Sequence, residues 1–329
     1  MVEKTIKAPL KKIAIVIPCY KVRNQILKVL QEIPAYISYI YVIDDACPQQ
    51  SGEFVVQNIS DRRVKVLFNQ ENLGVGGAMK RGYVAALGDM NDIVVKMDGD
   101  GQMSSNNLGD LLEPILLGRA DYSKGNRFFH LPGLKKMPKI RIIGNLFLSF
   151  FTKLSSGYHN VFDPNNGYTA IASDVLRKLD LSEIDDRYFF ESDMLFNLYG
   201  VRAVVKDVPM LASYDDEESN LQIRKIILPF LFKNLRNTWK RIFYSYYLRD
   251  FNIASLELPT GMIVLLFGLV EALRNWLKSW SSGIPTPIGT QMLAALSILV
   301  GFQLILSFIS FDIGNMPSEP VTSLKEINN

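Results

Sequence analysis

VVKMDGDGQM, Val94–Met103, joins an apolar, β-branched run to two carboxylates one residue apart, Asp98 and Asp100, with glycines at 99 and 101. The run before them has the length and residue types of a short buried strand. Two neighbouring carboxylates repel unless a cation or a proton shares them. At a strand end, with Gly99 and Gly101 letting the backbone turn tightly, both can face one divalent ion. Hard oxygen ligands suit Mg²⁺ or Mn²⁺, which keep positions open for phosphates, and Gln102 offers a neutral oxygen two residues on. Alone, D-x-D is a weak signal, because solvated acidic turns are common. Its surroundings decide it.

Upstream, strand-like and helix-like stretches alternate. IAIVIP (13–18), YIYVIDDA (39–46), VKVLFN (64–69) and DIVVKMDGD (92–100) read as strands. NQILKVLQEI, a segment beginning near Ala78 and LGDLLEPILL read as helices. This alternation predicts an α/β fold, a largely parallel sheet with helices on both faces. Ligands of such sheets bind at the carboxyl ends of strands, where Asp44, Asp45, Asn72, Asp98 and Asp100 fall. FNQENLGVGGAMKRGYVAAL (68–87) invites comparison with a dinucleotide fingerprint. Its third glycine position is Met79 and it follows the third strand, so a Rossmann dehydrogenase is disfavoured. Lys80 and Arg81 at a helix start still suit a phosphate-bearing ligand.

The totals bound the class. The chain has 329 residues, 21% of them charged, with a net charge of +3, which gives no ground for a nucleic-acid partner. Two cysteines, Cys19 and Cys47, make no disulfide framework. Two histidines, His130 and His159, with no Cys or His cluster near them, disfavour zinc or a catalytic triad. No cleaved signal peptide is expected, because the basic N-terminal stretch lacks an apolar core.

The mean hydropathy of +0.10 is concentrated near the C-terminus. Residues 223–251 mix bulky apolar and aromatic side chains with Lys and Arg, as helices lying in a membrane interface do. Segments 258–277 and 287–311 are each about the ~20 residues needed to cross a bilayer. Trp276 and Trp280 sit at a plausible aromatic belt beside the intervening turn, and Glu271 and Arg274 share a helix face. Lys233, Arg236, Lys240, Arg241 and Arg249 precede the first span, whereas the turn has only Lys278. By the positive-inside rule the large domain and the C-terminal tail are expected in the cytosol. The expected organisation is an enzyme-like domain over 1–222, interfacial helices over 223–256, a transmembrane hairpin over 257–312 and a tail over 313–329.

Taken in order, VIPCY, IDDA, NLGVGGAMKRGY, DGDGQ, GNRF (125–128), RIIGN (141–145), DPNNGYTAI and FFESDML resemble the GT-A glycosyltransferases of family 2. They resemble especially the membrane-tethered polyprenyl-phosphate glycosyltransferases, and the hairpin after them is similar to that of the bacterial branch with two C-terminal membrane helices. The resemblance covers about Ile13 to Tyr214. It implies a GT-A fold and transfer of a sugar from a nucleotide-sugar donor to a polyprenyl phosphate at the cytoplasmic face of the inner membrane, by a multi-pass protein. Pro18, Tyr20, Asp44 and Asp45 would line the nucleotide pocket, which Asn72, Gly74 and Lys80 help to shape. Asp98, Asp100 and Gln102 would hold Mg²⁺ or Mn²⁺ on the diphosphate. Arg127 and Arg141 would meet the acceptor phosphate, with Arg224 and Lys225 in a basic segment closing over phosphates. Asp193 takes the family's usual base position and is expected as a catalytic residue; because a lipid phosphate, already anionic, demands little of a base, the alternative that Asp193 binds sugar hydroxyls or orients a basic group stays open.

The sequence departs from the pattern at Lys21-Val22, where the family writes Asn-Glu, and at Ala46-Cys47-Pro48 after the second acidic motif. Both fall near base and ribose, so the nucleotide stays open. Two alternatives remain beside the leading reading: a glycosyltransferase with a hydroxyl acceptor, and a catalytically silent scaffold, against which the intact DGDGQ speaks. The helix IIGNLFLSFF (142–151) is read as lipid-facing or as plain core, the acidic run 214–218 as a solvated loop, and self-association as open.

Overall fold

The computed structural model describes residues 11–129, 139–210 and 223–322. They form two compact units, one holding the chain up to Asn237 and again from Pro317, the other Thr238–Met316.

The first unit is built on a seven-stranded sheet in the order β3-β2-β1-β4-β6-β5-β7. The strands are β1 Ile13–Cys19, β2 Tyr39–Asp44, β3 Val64–Phe68, β4 Ile93–Lys96, β5 Tyr122–Asn126, β6 Thr169–Ala172 and β7 Val205–Pro209. The four strands expected from sequence pair in parallel, with Val16 opposite Lys96 across β1 and β4. β6 runs antiparallel between β4 and β5, and β5 pairs in parallel with β7. β5 reads Tyr-Ser-Lys-Gly-Asn yet is buried throughout, so it offers no apolar run to recognise.

Side-chain alternation along the strands sorts two cores onto the two faces. Ile13, Ile15, Ile17, Val42 and Val95 pack on one face with α1 (Ile26–Glu32) and α4 (Leu108–Leu116). Ala14, Val16, Tyr41, Ile43 and Val94 pack on the other with α3 (Val75–Gly88) and α7 (Phe190–Gly200). Of the remaining helices, α2 spans Ser51–Asn58, α5 Lys139–Ser156, α6 Ser173–Leu176 and α8 Ile223–Phe243. α3 starts at Val75, three residues before the expected Ala78. Gly74 turns into it with φ +90°, where a Cβ would lie 2.6 Å from the Asp186 carbonyl oxygen. Gly77 N–H donates to that same oxygen at 3.1 Å. The loop lying on the helix start needs glycine, and this tertiary contact extends the helix through residues of low helix propensity.

The second unit is dominated by α9 (Ile253–Ser282) and α10 (Ile288–Gly314), 30 and 27 residues long. At 1.5 Å per residue these are ~45 and ~40 Å, and both are long and apolar enough to cross a bilayer. They pack antiparallel through small residues: a Cβ at Gly261 would lie 3.0 Å from the Gly301 carbonyl oxygen, and one at Gly268 2.8 Å from Ile298 N. Asn252 and Ser255 form a capping box that starts α9, and Gly283, with φ +67°, ends it. Glu271 and Arg274 pair at 3.6 Å. Arg241 is buried against Asp312 with contacts of 2.6 and 2.8 Å, and Tyr246 donates its hydroxyl to the same carboxylate at 2.6 Å. Such a pair survives burial because every charged oxygen has a donor.

Candidate active site

The chain runs outward from β1 to β2 to β3, then crosses back to β4 on the other side of β1. The strand order therefore reverses between β1 and β4, and a crevice at their carboxyl ends follows from the topology. A cleft of about 450 Å³ lies there. Pro18 and Tyr20 line it from the end of β1 and just past it, Asp45 from just past β2, Asn72 and Gly74 from the loop before α3, and Asp98 and Asp100 from the turn after β4. Seven of the residues singled out in the sequence thus meet in one cleft.

Asp44, the last residue of β2, and Asp45, just past it, part company. Asp44 is buried and accepts from Cys47 N at 2.7 Å and Gly52 N at 2.6 Å, bracing the turn into α2. Asp45 accepts from Asn69 Nδ2 at 2.7 Å, Leu73 N at 2.9 Å and Gly74 N at 2.8 Å, so it pins the loop that carries Asn72. The two departures from the family pattern touch each other: Lys21 N–H donates to Cys47 Sγ at 3.0 Å. Lys21 and Ala46 both take up left-handed backbone, with φ 61° and 50°.

Beneath the DGD turn lies Lys96, 2% exposed. Its ammonium sits 2.9 Å from Asp98 Oδ1 and 3.2 Å from Glu191 Oε1 on α7. Burial alone works against its charge; the carboxylates of Asp98 and Glu191 outweigh burial and hold its pKa above the ordinary lysine value. Gly167 lets the backbone close over this pair, since a Cβ there would lie 2.9 Å from Asp98 Oδ2. Asp100 Oδ1 accepts from Gln102 N at 3.0 Å, and Gly101 makes the turn with φ +81°. Gln102 is exposed and is not among the residues lining the cleft.

Two half-buried carboxylates opening into one cleft fit a hard divalent ion whose other positions are filled by phosphates. Among the described residues no three His, Cys, Asp or Glu side chains form a metal cluster; the carboxylates that line the cleft and would hold such an ion are Asp98 and Asp100.

The remaining expected residues sit elsewhere. Lys80 donates to the Ile184 carbonyl at 2.7 Å and pairs with Asp186 at 2.7 Å, fastening α3 to the loop before α7. That loop carries Arg187 and Tyr188, which line the cleft and which sequence reasoning missed. Arg127, just past β5, pairs with buried Asp163 through Nε at 2.8 Å and Nη2 at 3.2 Å. The side chains of Arg141, Arg224 and Lys225 lie outside the described residues, as do His130 and 214–218.

Asp193 is 3% exposed and away from the cleft lining. Its Oδ2 accepts from Asp185 N at 2.9 Å and its Oδ1 from Asn237 Nδ2 at 2.7 Å. Burial raises its pKa. Asp185 in turn holds the ammonium of Lys233. Asp193 is thereby tied to the loop before α7, whose Asp185 pairs with Lys233 of α8. Glu191, two residues earlier, is the carboxylate that reaches Lys96 beneath the DGD turn. The signals for this part of the site were present in the sequence: Lys96 interrupts an apolar strand, and an acid stands at i−2 from Asp193.

Residues 14–180 match the family model described as glycosyl transferase family 2. The chain belongs to this family. Among similar proteins, the undecaprenyl-phosphate mannosyltransferase of Micrococcus luteus is 32% identical over 177 residues, 53% of this chain and 71% of the relative. The UDP-N-acetylglucosamine–dolichyl-phosphate N-acetylglucosaminyltransferase of Methanococcus voltae is 26% identical over 220 residues, 63% and 87% of the two chains. The fold is shared with glucosyl-3-phosphoglycerate synthase from Mycobacterium tuberculosis, solved with Mn²⁺ and UDP. That likeness has a TM-score of 0.51 at 15% identity, covering 70% of this chain and 80% of that one.

As a family 2 glycosyltransferase the protein is an enzyme with a GT-A fold, and its DPNNG motif acquires a physical role. Asp163 holds Arg127, Gly167 admits the backbone beside Asp98, and Asn166 Nδ2 donates to the Gly125 carbonyl at 2.8 Å. The Asn166 carbonyl accepts from Lys124, a buried lysine whose pKa burial pushes down to about 8. Asp207 on β7 braces this region, accepting from Phe162 N at 2.7 Å and Asn126 Nδ2 at 3.0 Å. Burial pushes its pKa up to about 6. An unfolded aspartate titrates near ~3.9, so between about pH 4 and 6 the folded state binds more protons and stability falls as pH rises. Asp207→Asn is expected to flatten the thermal-stability profile across that window. An unchanged slope would show that the group does not titrate there.

Proposed function

We propose that this glycosyltransferase moves a sugar from a nucleotide-sugar to a polyprenyl phosphate at the cytoplasmic leaflet of a bacterial-type inner membrane. The observation that carries the proposal is the cleft at the β1/β4 switch point, presenting Asp98 and Asp100, in a chain that also has two bilayer-length apolar helices. Relatives named for undecaprenyl and dolichyl phosphate acceptors support it. In this reading the catalytic part runs to about residue 222, 223–256 lies in the interface, and 257–312 spans the bilayer. The basic residues before α9 remain on the cytosolic side.

Asp98 and Asp100 would hold a divalent ion, Mg²⁺ or Mn²⁺, which would supply Lewis-acid neutralisation of the leaving diphosphate. Pro18, Tyr20, Asp45 and Asn72 enclose the nucleotide, and Arg187 at the cleft offers the diphosphate a bidentate cation. Arg127, kept in place by Asp163, joins Arg141, Arg224 and Lys225 in receiving the acceptor phosphate. The acceptor oxygen is already anionic, so attack at the anomeric carbon proceeds as one inverting displacement without a strong base. Both oxygens of Asp193 accept hydrogen bonds within the protein, which favours this reading over a hydroxyl acceptor needing that residue as base.

The test is the purified full chain in detergent with undecaprenyl phosphate, Mn²⁺ or Mg²⁺ and a panel of nucleotide-sugars, with the lipid fraction read by mass spectrometry. A metal-dependent lipid-phosphate sugar is expected. Nucleotide release with no lipid product would transfer the assignment to a hydroxyl acceptor.

A further inference from the structure

The chain leaves the glycosyltransferase unit after Asn237 and rejoins it at Pro317. What receives it there is Asp121, the residue before β5, at 0% exposure. Asp121 Oδ2 accepts from Val204 N at 2.8 Å and Val321 N at 2.9 Å. Its Oδ1 accepts from Thr322 N at 3.1 Å and Thr322 Oγ1 at 3.0 Å. Val321 also packs against the core on the α3 and α7 side of the sheet.

A carboxylate withdrawn from water is costly unless its oxygens find donors. Of the four donors on Asp121, one comes from Val204 and three from residues about 200 positions away in sequence. That segment thus supplies three of the four hydrogen bonds of a carboxylate that is fully buried with the segment in place. Two consecutive N–H groups and a hydroxyl match the several acceptor sites of an ionised carboxylate, which a serine or an amide at 121 could not all supply. The location sets Asp121 apart from the cleft of the candidate active site. β5 is parallel to β4 through their shared neighbour β6, and Asp121 lies at its amino end, whereas the cleft opens at carboxyl ends. At ~3.3 Å per residue, the length of β5 puts it ~17 Å from that edge.

We infer that Asp121 anchors a C-terminal strap, so that the chain on each side of segment 238–316 is fixed within the glycosyltransferase unit instead of on one side only. The consequence for catalysis rests on the membrane reading above. A second attachment cuts the orientational freedom of the catalytic unit and raises the effective concentration of its cleft at the leaflet that holds the acceptor. Asp121 is in this sense a positioning residue.

The experiment uses the full chain in lipid nanodiscs. Val321→Pro removes one donor and leaves Asp121 and the sheet intact; deletion of 317–329 removes all three. Amide exchange at Thr322 and Val204 is expected to be slow in the wild type and at least about tenfold faster in Val321→Pro. In the deletion, kcat with bilayer-embedded polyprenyl phosphate should fall about tenfold while KM for the nucleotide-sugar and turnover of a short, water-soluble prenyl phosphate stay within about twofold. Rapid exchange of Val321 and Thr322 in the wild type would overturn the anchor. Equal losses on both acceptors, or full activity of the deletion in the bilayer, would overturn the positioning role. A wild-type protein that transfers sugar to no prenyl phosphate strikes the acceptor assignment instead, and exchange alone then decides the anchor.

Discussion

Asp100→Asn is expected to cut metal-dependent kcat/KM by about a thousandfold. The substitution keeps an oxygen for the Gln102 N–H, 3.0 Å away, so the turn itself should survive. What it removes is half of the anionic charge facing a divalent ion, and charge stabilisation of a leaving diphosphate is worth several kcal/mol, at about 1.4 kcal/mol per factor of ten. Melting temperature and rate should therefore separate: the first nearly unchanged, the second collapsed. A variant within tenfold of wild-type kcat/KM would remove Asp100 from the metal site and reopen the silent-scaffold alternative for the DGD turn.

Lys96→Met should damage stability as well as activity. The buried ammonium bridges Asp98 and Glu191. Removing one partner of a buried ionic cluster leaves uncompensated charge and costs about 3–5 kcal/mol. Neutralising Glu191 in the same chain should restore part of that loss, because the damage lies in the unpaired carboxylates and not in the missing methylenes. Denaturant unfolding of the single and double variants, combined as a cycle, measures the coupling. Additive losses would show that Lys96 and Glu191 are packed side by side without sharing charge.

Much of this architecture was legible in local pattern. The run at 13–17 alternates Ile13, Ile15 and Ile17 to one core with Ala14 and Val16 to the other, and the sheet faces follow from that period of two. DGDG after an apolar strand placed two carboxylates at a strand end, where topology opens a cleft. β5 was not legible, because its Lys124 is satisfied by the Asn166 carbonyl in another loop. Nor was the reach of α3 through Gly76 and Gly77, which depends on the loop at 185–187.

The sequence by itself determined the strand and helix order of the first four β-strands, the acidic turn at their carboxyl edge and the two apolar helices near the C-terminus. These features are encoded in spacing over a few residues. Only the tertiary structure decided that Asp45 faces the cleft while Asp44 braces a turn, that Glu191 and not Asp193 pairs with Lys96 beneath the DGD turn, and that Asp121 receives residues 321 and 322. Each of those outcomes depends on which distant donor fills a buried acceptor. That pairing is set by the free energy of desolvating the carboxylate in the assembled fold, a quantity that no local periodicity carries.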